Sequence, residues 1–236
     1  MAENGLIATV RERGLFKRVD LKCFRGFTLA EVLITLVIIG VIAAMTIPTL
    51  MNKTNKQEYV VGLKKAYSTL AQVTNKIIAE NGNPKCSIGG WACSNAEIFD
   101  MYKRYLSKAK ECPAGGDCMT QQYRFLVGTG KKNFKNDATL VLPDGMQIGI
   151  VGIDENCEGV DAGNEKGCFW FRVDVNGMKK PNIFGRDAFQ LVVKETGLVP
   201  AGCDAEIRTG STPREACVAA GWQCACTVLS EGKMDY

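Results

Sequence analysis

The chain has 236 residues, 46% of them hydrophobic, with a formal net charge of +4 and no histidine. That length holds one or two domains. The weak net charge argues against a dense nucleic-acid footprint, and the missing histidine removes Ser-His and Cys-His nucleophiles and every His-containing metal site.

Residues 1–26 are polar and basic, with Arg11, Arg13, Lys17, Arg18, Lys22 and Arg25 set against Glu3, Glu12 and Asp20. This charge favours the cytoplasmic side of a membrane. An apolar run opens at Phe27. It holds a single carboxylate, Glu31, and then no charge from Val32 to Pro48, with Leu50 and Met51 extending it. About 20 such residues span a bilayer. Thr28, Thr35 and Thr46 can bond back to carbonyls one turn earlier, so they do not break a membrane helix. Pro48 removes one backbone donor, and a kink is expected there. A secretory signal peptide needs a small-residue cleavage site after the apolar stretch. Ala43-Ala44-Met45 followed by Thr46-Ile47-Pro48 is a poor match, and the run is longer than a signal core.

Beyond Pro48 the helical pattern continues. Val60, Leu63, Tyr67, Leu70, Thr74 and Ile77 recur at steps of three and four, an amphipathic stripe in which Thr74 is the weak member. Lys64, Lys65, Ser68, Gln72, Asn75 and Lys76 take the opposite side. Asn81-Gly82-Asn83-Pro84 stops the helix near Glu80. A short helix follows from Glu97 to Leu106, with Ile98, Tyr102, Tyr105 and Leu106 on one side. Then come strand-like runs at Tyr123–Val127, Ala138–Leu142, Met146–Ile153, Phe169–Val175 and Phe189–Val193. Pro143-Asp144-Gly145 fits a tight turn joining the second and third as a hairpin. The expected fold is α+β. A long kinked N-terminal helix, membrane-spanning in its first half and amphipathic in its second, packs on a small antiparallel sheet domain with disulfide-rich loops. No internal repeat or low-complexity segment interrupts it.

Eleven cysteines are present. Cys23 precedes the apolar run, and Cys86, Cys93, Cys112, Cys118, Cys157, Cys168, Cys203, Cys217, Cys224 and Cys226 follow it. If the chain crosses a membrane at the run, the later cysteines face an oxidising space in which disulfides persist. Sequence leaves the connectivity open. Short separations favour Cys86 with Cys93, Cys112 with Cys118 and Cys157 with Cys168, and the last four cysteines would share two bonds. A metal site using Cys224-Ala225-Cys226 competes, against the oxidising compartment and the lack of histidine. In the stretch Val173–Phe189, Asp174, Asn176 and Asp187 are hard oxygen ligands of the kind calcium takes. Asn176-Gly177 and Pro181-Asn182 are also ordinary turn formers, so a purely structural loop competes with a calcium site. No other cofactor is indicated.

Gly26-Phe27-Thr28-Leu29-Ala30-Glu31, then Gly40, then Ile47-Pro48, behind a basic leader, resembles the N-terminus of type IV pilins and type II secretion pseudopilins. The likeness ends near Pro48. Beyond it, a long helix followed by a cysteine-rich strand domain agrees in architecture only. The resemblance implies that a membrane-embedded aspartyl prepilin peptidase cuts between Gly26 and Phe27 on the cytoplasmic side and methylates the new amino group of Phe27. It implies that Glu31 takes part in assembly with like subunits or other pilins in a helical filament, on an inner-membrane assembly platform. Pseudopilins also have a calcium loop near the C-terminus, with a spacing different from that of Asp174, Asn176 and Asp187. The implied location is the bacterial inner membrane, crossed once, with the leader in the cytoplasm and the C-terminal domain outside, and afterwards the pilus or pseudopilus.

The implied organisation is a removed leader over 1–26, a transmembrane and filament-core helix over 27–50, an amphipathic helix over 51–81 and an exported cysteine-rich domain over 82–236. Elementary physics agrees with the implied roles. Gly26 lets the backbone enter a tight peptidase cleft, and Phe27 suits a membrane interface. An ionised carboxylate deep in a bilayer costs about 2.5–3.5 kcal/mol and calls for a partner. The amino group of Phe27 on a neighbouring subunit supplies one for Glu31. Gly40 and Ala43-Ala44 let apolar helices approach closely. The function expected is a structural, non-enzymatic filament subunit. The alternatives are a single membrane-anchored, adhesin-like binding module and a tethered exported enzyme, and no paired carboxylates, nucleophile elbow or phosphate loop supports the last.

Overall fold

Apolar residues at helical spacing on both sides of Pro48 form one helix, α1 (Leu29–Asn81), with Pro48 inside it. The computed structural model describes residues 11–12, 15–16, 26–82, 94–106, 108–134, 137–154, 157–160, 165–203 and 212–236. The chain divides into two compact units, Met1–Met51 and Asn52–Tyr236. In the first, Arg11–Glu12 (β1) pairs antiparallel with Leu15–Phe16 (β2). Its other described residues are Gly26, Phe27 and Thr28 and the apolar part of α1.

In the second unit, the stripe on α1 meets a sheet. Val60, Leu63, Leu70, Thr74 and Ile77 are buried and Tyr67 is half-buried, whereas Lys64, Lys65, Ser68, Gln72, Asn75 and Lys76 are exposed. Thr74, the weak member of the stripe, shares a hydrogen bond with the Tyr102 hydroxyl at 3.0 Å. That bond satisfies both buried hydroxyls. The helix ends where Gly82, at φ +80°, donates its N–H to the Ile78 carbonyl. Glycine suits that left-handed position because it has no Cβ. The short helix α2 (Asn95–Tyr105) starts two residues earlier than expected. Ser94 and Glu97 form a reciprocal capping box that fixes its first turn.

The main sheet has six antiparallel strands in the order β12-β11-β10-β7-β6-β3. These are Lys110–Cys112 (β3), Thr139–Val141 (β6), Gln147–Ile153 (β7), Phe169–Asp174 (β10), Ala188–Lys194 (β11) and Gly197–Pro200 (β12). Strand β10 reads Phe-Trp-Phe-Arg-Val-Asp and is buried along its whole length, because both faces of the sheet are covered. On one face Phe169, Phe171, Val173, Leu191 and Val193 pack with α1 and α2. Tyr102 meets Phe171 edge-on at 4.9 Å between ring centroids. On the other face Tyr123, Phe134, Phe184 and Trp222 form an aromatic cluster, and Trp170, Val192 and Ala201 form a smaller one.

Two expectations change. The run Tyr123–Val127 is strand only over Gln122–Arg124 (β4), and it pairs with Lys131–Asn133 (β5) outside the main sheet. Gly128 at φ +81° and the bond from Phe125 N–H to the Gly130 carbonyl turn the chain there. The C-terminal segment adds two helices, α3 (Pro213–Ala220) and α4 (Cys224–Glu231). Thr212-Pro213-Arg214-Glu215 signals the first of them, a capping box with proline at the first helical position. Gly159–Val160 (β8) and Lys166–Gly167 (β9) complete the strands as a small ladder.

Disulfides close the loops. Cys112 pairs with Cys118, Cys157 with Cys168, Cys203 with Cys226 and Cys217 with Cys224. Cys23, Cys86 and Cys93 lie outside the described residues.

Candidate processing and assembly site

The first turn of α1 carries the N-terminal candidates. Gly26, Phe27 and Thr28 precede the helix, and Phe27 is 84% exposed. Thr28 caps the helix. Glu31 N–H donates to Thr28 Oγ1 at 3.2 Å, while Thr28 N–H and Thr28 Oγ1 each donate to Glu31 Oε2 at 3.3 Å. Threonine followed three residues later by glutamate is the capping-box pattern, so sequence alone carried this signal. Glu31 therefore has a local role in starting the helix, beside any role with a partner. Its carboxylate remains exposed.

Beyond Glu31 the helix presents apolar side chains in every direction. Val37, Ile39, Met45 and Leu50 are each more than 60% exposed. The segment is long and apolar enough to cross a membrane, and none of its most apolar window is buried within the chain. Thr35 and Thr46 return their hydroxyls to the carbonyls of Val32 and Ile42, at 2.9 and 3.0 Å. That removes the cost of exposing them to lipid. A Cβ at Gly26 or at Gly40 would meet no atom within 4 Å. Packing among the described residues makes no demand for glycine at either place.

In the second unit, Asp174 and Asp187 are fully buried, and Asn176 stands between them in the chain, half-buried. Asp187 accepts backbone N–H donors from Ile183 at 2.6 Å and Asn182 at 2.7 Å, one on each oxygen. Asp174 accepts from the Tyr123 hydroxyl at 2.9 Å and from Asn176 N–H at 3.3 Å, again one on each. Burial, and then the neighbouring Asp187, push Asp174 up to about 8. Burial also raises Asp187. The Asn176 side chain donates to the Lys180 carbonyl at 3.3 Å, and its oxygen has no hydrogen-bond partner among the described residues. Among the described residues no three His, Cys, Asp or Glu side chains converge as a metal site. Cys224 and Cys226 are both in disulfides, which leaves neither thiolate free for a metal. Asp144 does more than turn the chain, since it also pairs with Lys65 of α1 at 2.5 Å.

Residues 21–47 match the prokaryotic N-terminal methylation motif. The match covers the end of the basic stretch, the Gly26-Phe27 junction, Glu31 and most of the apolar helix. The chain thus carries the signature of type IV pilins and pseudopilins, and the motif marks a pilin-like substrate of a prepilin peptidase. No curated protein and no solved structure matches the chain. The apolar helix together with the motif is consistent with single-pass anchoring in the inner membrane.

Proposed function

We propose that this chain is a structural, non-enzymatic subunit of a type IV pilus or a type II secretion-like pseudopilus. The peptidase removes residues 1–26, cutting after Gly26, and methylates Phe27. The processed chain is then drawn from the inner membrane into a helical filament through the assembly platform. The observation that supports this reading is the bare helix behind the motif, an apolar surface exposed on all sides with one carboxylate in its first turn. Lipid covers such a surface before assembly, and the helices of neighbouring subunits cover it afterwards. Glu31 then pairs with the amino group of Phe27 on a neighbour. Cleavage creates that amine, so only processed subunits pair.

The Asp174 and Asp187 carboxyl groups act in this reading as internal braces. Each oxygen already accepts a donor from the chain, and the two acids fix the loop between β10 and β11 without a calcium ion.

The test is N-terminal mass spectrometry of the chain from membranes and from sheared filaments. The expected product begins at N-methylated Phe27 in both fractions. Intact residues 1–26, or a cut after Ala44, overturns the reading. A processed chain that never enters filaments supports the single-anchor, adhesin-like alternative.

A further inference from the structure

The C-terminal turn of the chain folds back onto α1. Helix α4 ends at Gly232, which at φ +68° donates its N–H to the Val228 carbonyl at 2.9 Å. Met234, two residues on, is buried, and its carbonyl accepts from Lys56 Nζ at 2.8 Å. This turn and the facing part of α1 enclose a cleft of about 170 Å³. Lys53, Lys56 and Lys233 line it with a single acid, Asp235, and Val60 and Met234 give it an apolar side.

Part of the local charge serves the fold. Lys56 holds the Met234 carbonyl, and a Cβ at Gly232 would lie 3.5 Å from Lys64 Nζ. Lys64 therefore stands by the C-terminal end of α4, where a cation is favoured. Lys53 and Lys233 have no such task. Lys53 is exposed and has no ion-pair partner among the described residues. Lys233 meets Asp235 at 2.7 Å, but both side chains are more than half exposed, and such a pair contributes little.

The position of the cleft along the chain identifies what can reach it. Lys53 and Lys56 follow Met51, the last residue of the apolar run, by two and five positions. At about 1.5 Å per residue of helix, their backbones stand roughly 3 Å and 8 Å beyond the end of that run. A charged surface is felt over about 8–10 Å in moderate salt. The positive-inside rule places lysines on the leader's side of the membrane and makes no demand for them on this side.

We infer that Lys53, Lys56 and Lys233 form a docking site for the phosphate of an anionic phospholipid headgroup, with Val60 and Met234 on its apolar side. The inference rests on the single-pass anchoring reading and adds to it a lipid contact made by both ends of the exported unit. The occupant is a lipid because the site begins two residues beyond a helix built to end at the bilayer surface. Three lysines around one acid match the charge of a phosphate diester, and Asp235 competes with that phosphate for Lys233. Lysines that merely flank a membrane helix need nothing from the C-terminus, so Lys233 separates the two explanations.

The experiment uses the chain extracted from membranes in mild detergent. Native mass spectrometry measures its retention of added dioleoyl-phosphatidylglycerol against dioleoyl-phosphatidylcholine. The wild-type chain should retain the anionic lipid preferentially. Lys53→Gln and Lys233→Gln should each lower that retention about fivefold, and Asp235→Asn should raise it. Lys131→Gln, on the β4–β5 hairpin, should leave it unchanged. All four changes fall on exposed side chains, and an unaltered thermal midpoint shows that each variant folds. Equal retention of the two lipids overturns the inference, and so does a Lys233→Gln variant that behaves as the wild type. Displacement of the lipid by millimolar glycerol 1-phosphate overturns the assignment to lipid in favour of a free phosphate ester. A wild-type chain absent from the membrane fraction overturns the anchoring reading, and this contact with it.

Discussion

The guanidinium of Arg172 lies over the ring of Phe134, its central carbon 4.3 Å from the ring centroid. Arg172 is 1% exposed, in the middle of β10. Tyr123 supplies a second ring at 5.5 Å, Thr139 Oγ1 accepts from Nη2 at 2.9 Å, and Asp137 stands 3.8 Å from Nη1. Burial pulls the arginine below its ordinary pKa, and Tyr123 and Asp137 oppose that pull. A charge removed from water needs such partners, and aromatic faces take part of water's place. Phe134→Leu keeps an apolar side chain and removes the face. The expected loss is about 1–2 kcal/mol of stability, read as a lower urea midpoint. A double-mutant cycle with Arg172→Met should return a coupling energy of the same size. Independent effects of the two changes would show that the ring serves only as filling.

At the start of α1, two roles of Glu31 separate by substitution. Glu31→Gln keeps a capping-box side chain and loses the charge. Glu31→Ala loses both. Both variants should be cleaved by the peptidase almost normally and should fail to enter filaments, if charge is what recruits the subunit. Thr28→Ala removes the cap alone, at a cost of about 1 kcal/mol to the helix start. It should lower filament yield less than either Glu31 change, and Thr28→Ser should restore it. The assay is sheared-filament yield beside total processed chain. A normal yield from Glu31→Ala would reduce Glu31 to a capping and interfacial acid.

The pH dependence of stability is unusually easy to read, because no histidine titrates. Asp174 has a folded pKa of about 8, well above the ordinary carboxylate value of 3.8. The folded state therefore holds a proton that the unfolded chain releases near pH 4. Stability from this group is full below that pH and is lost as pH rises through about 8. Burial raises Asp187 as well, which acts in the same direction. Thermal unfolding of the mature chain should show a falling midpoint between pH 5 and pH 8, two pH settings bracketing the neutral range. Asp174→Asn should flatten that slope. A midpoint that rises across the range would contradict a protonated Asp174.

The disulfides should differ in worth with the length of chain that each closes. Cys203 and Cys226 are 23 residues apart, whereas Cys112 and Cys118 are 6 apart. In the chain-entropy account a loop of about 15 residues contributes ~3 kcal/mol, and longer loops contribute more. Replacing Cys203 and Cys226 together by serine should therefore lower the unfolding midpoint more than the same change at Cys112 and Cys118. Thiol labelling of denatured, unreduced mature protein should find none of the eight cysteines of these four pairs free. Labelling at any of these eight positions would contradict the pairing.

Calcium should leave the loop between β10 and β11 unchanged. The four carboxyl oxygens of Asp174 and Asp187 already accept donors from the chain. Millimolar calcium, or a chelator, should not shift the thermal midpoint of the mature protein. A clear rise with calcium that Asp187→Asn abolishes would replace the brace with a metal site formed with Asn176.

The N-terminal part was legible in the sequence because its determinants are local. Helical spacing, the Gly26-Phe27 junction, a lone Glu31 and a run of lipid-like residues need no distant contact to be recognised. The stripe from Val60 to Ile77 was legible for the same reason, since the period of a helix is written in the order of its residues. The short β4 was not, because Tyr123, Arg124 and Phe125 have strand-forming composition, while the Gly128 turn and the aromatic cluster around Trp222 decide where pairing stops. Nor was the sharing of partners among Cys203, Cys217, Cys224 and Cys226, because spacing permits several pairings and only the placement of α3 and α4 selects one. Arg172, Asp174 and Asp187 show the same limit. Sequence presents Arg172 as an ordinary strand residue, and Asp174 and Asp187 as turn residues or calcium ligands. Burial between a sheet and an aromatic cluster makes one an arginine held by rings and the others acids held by backbone donors and the Tyr123 hydroxyl, because desolvation depends on what the fold brings from elsewhere in the chain.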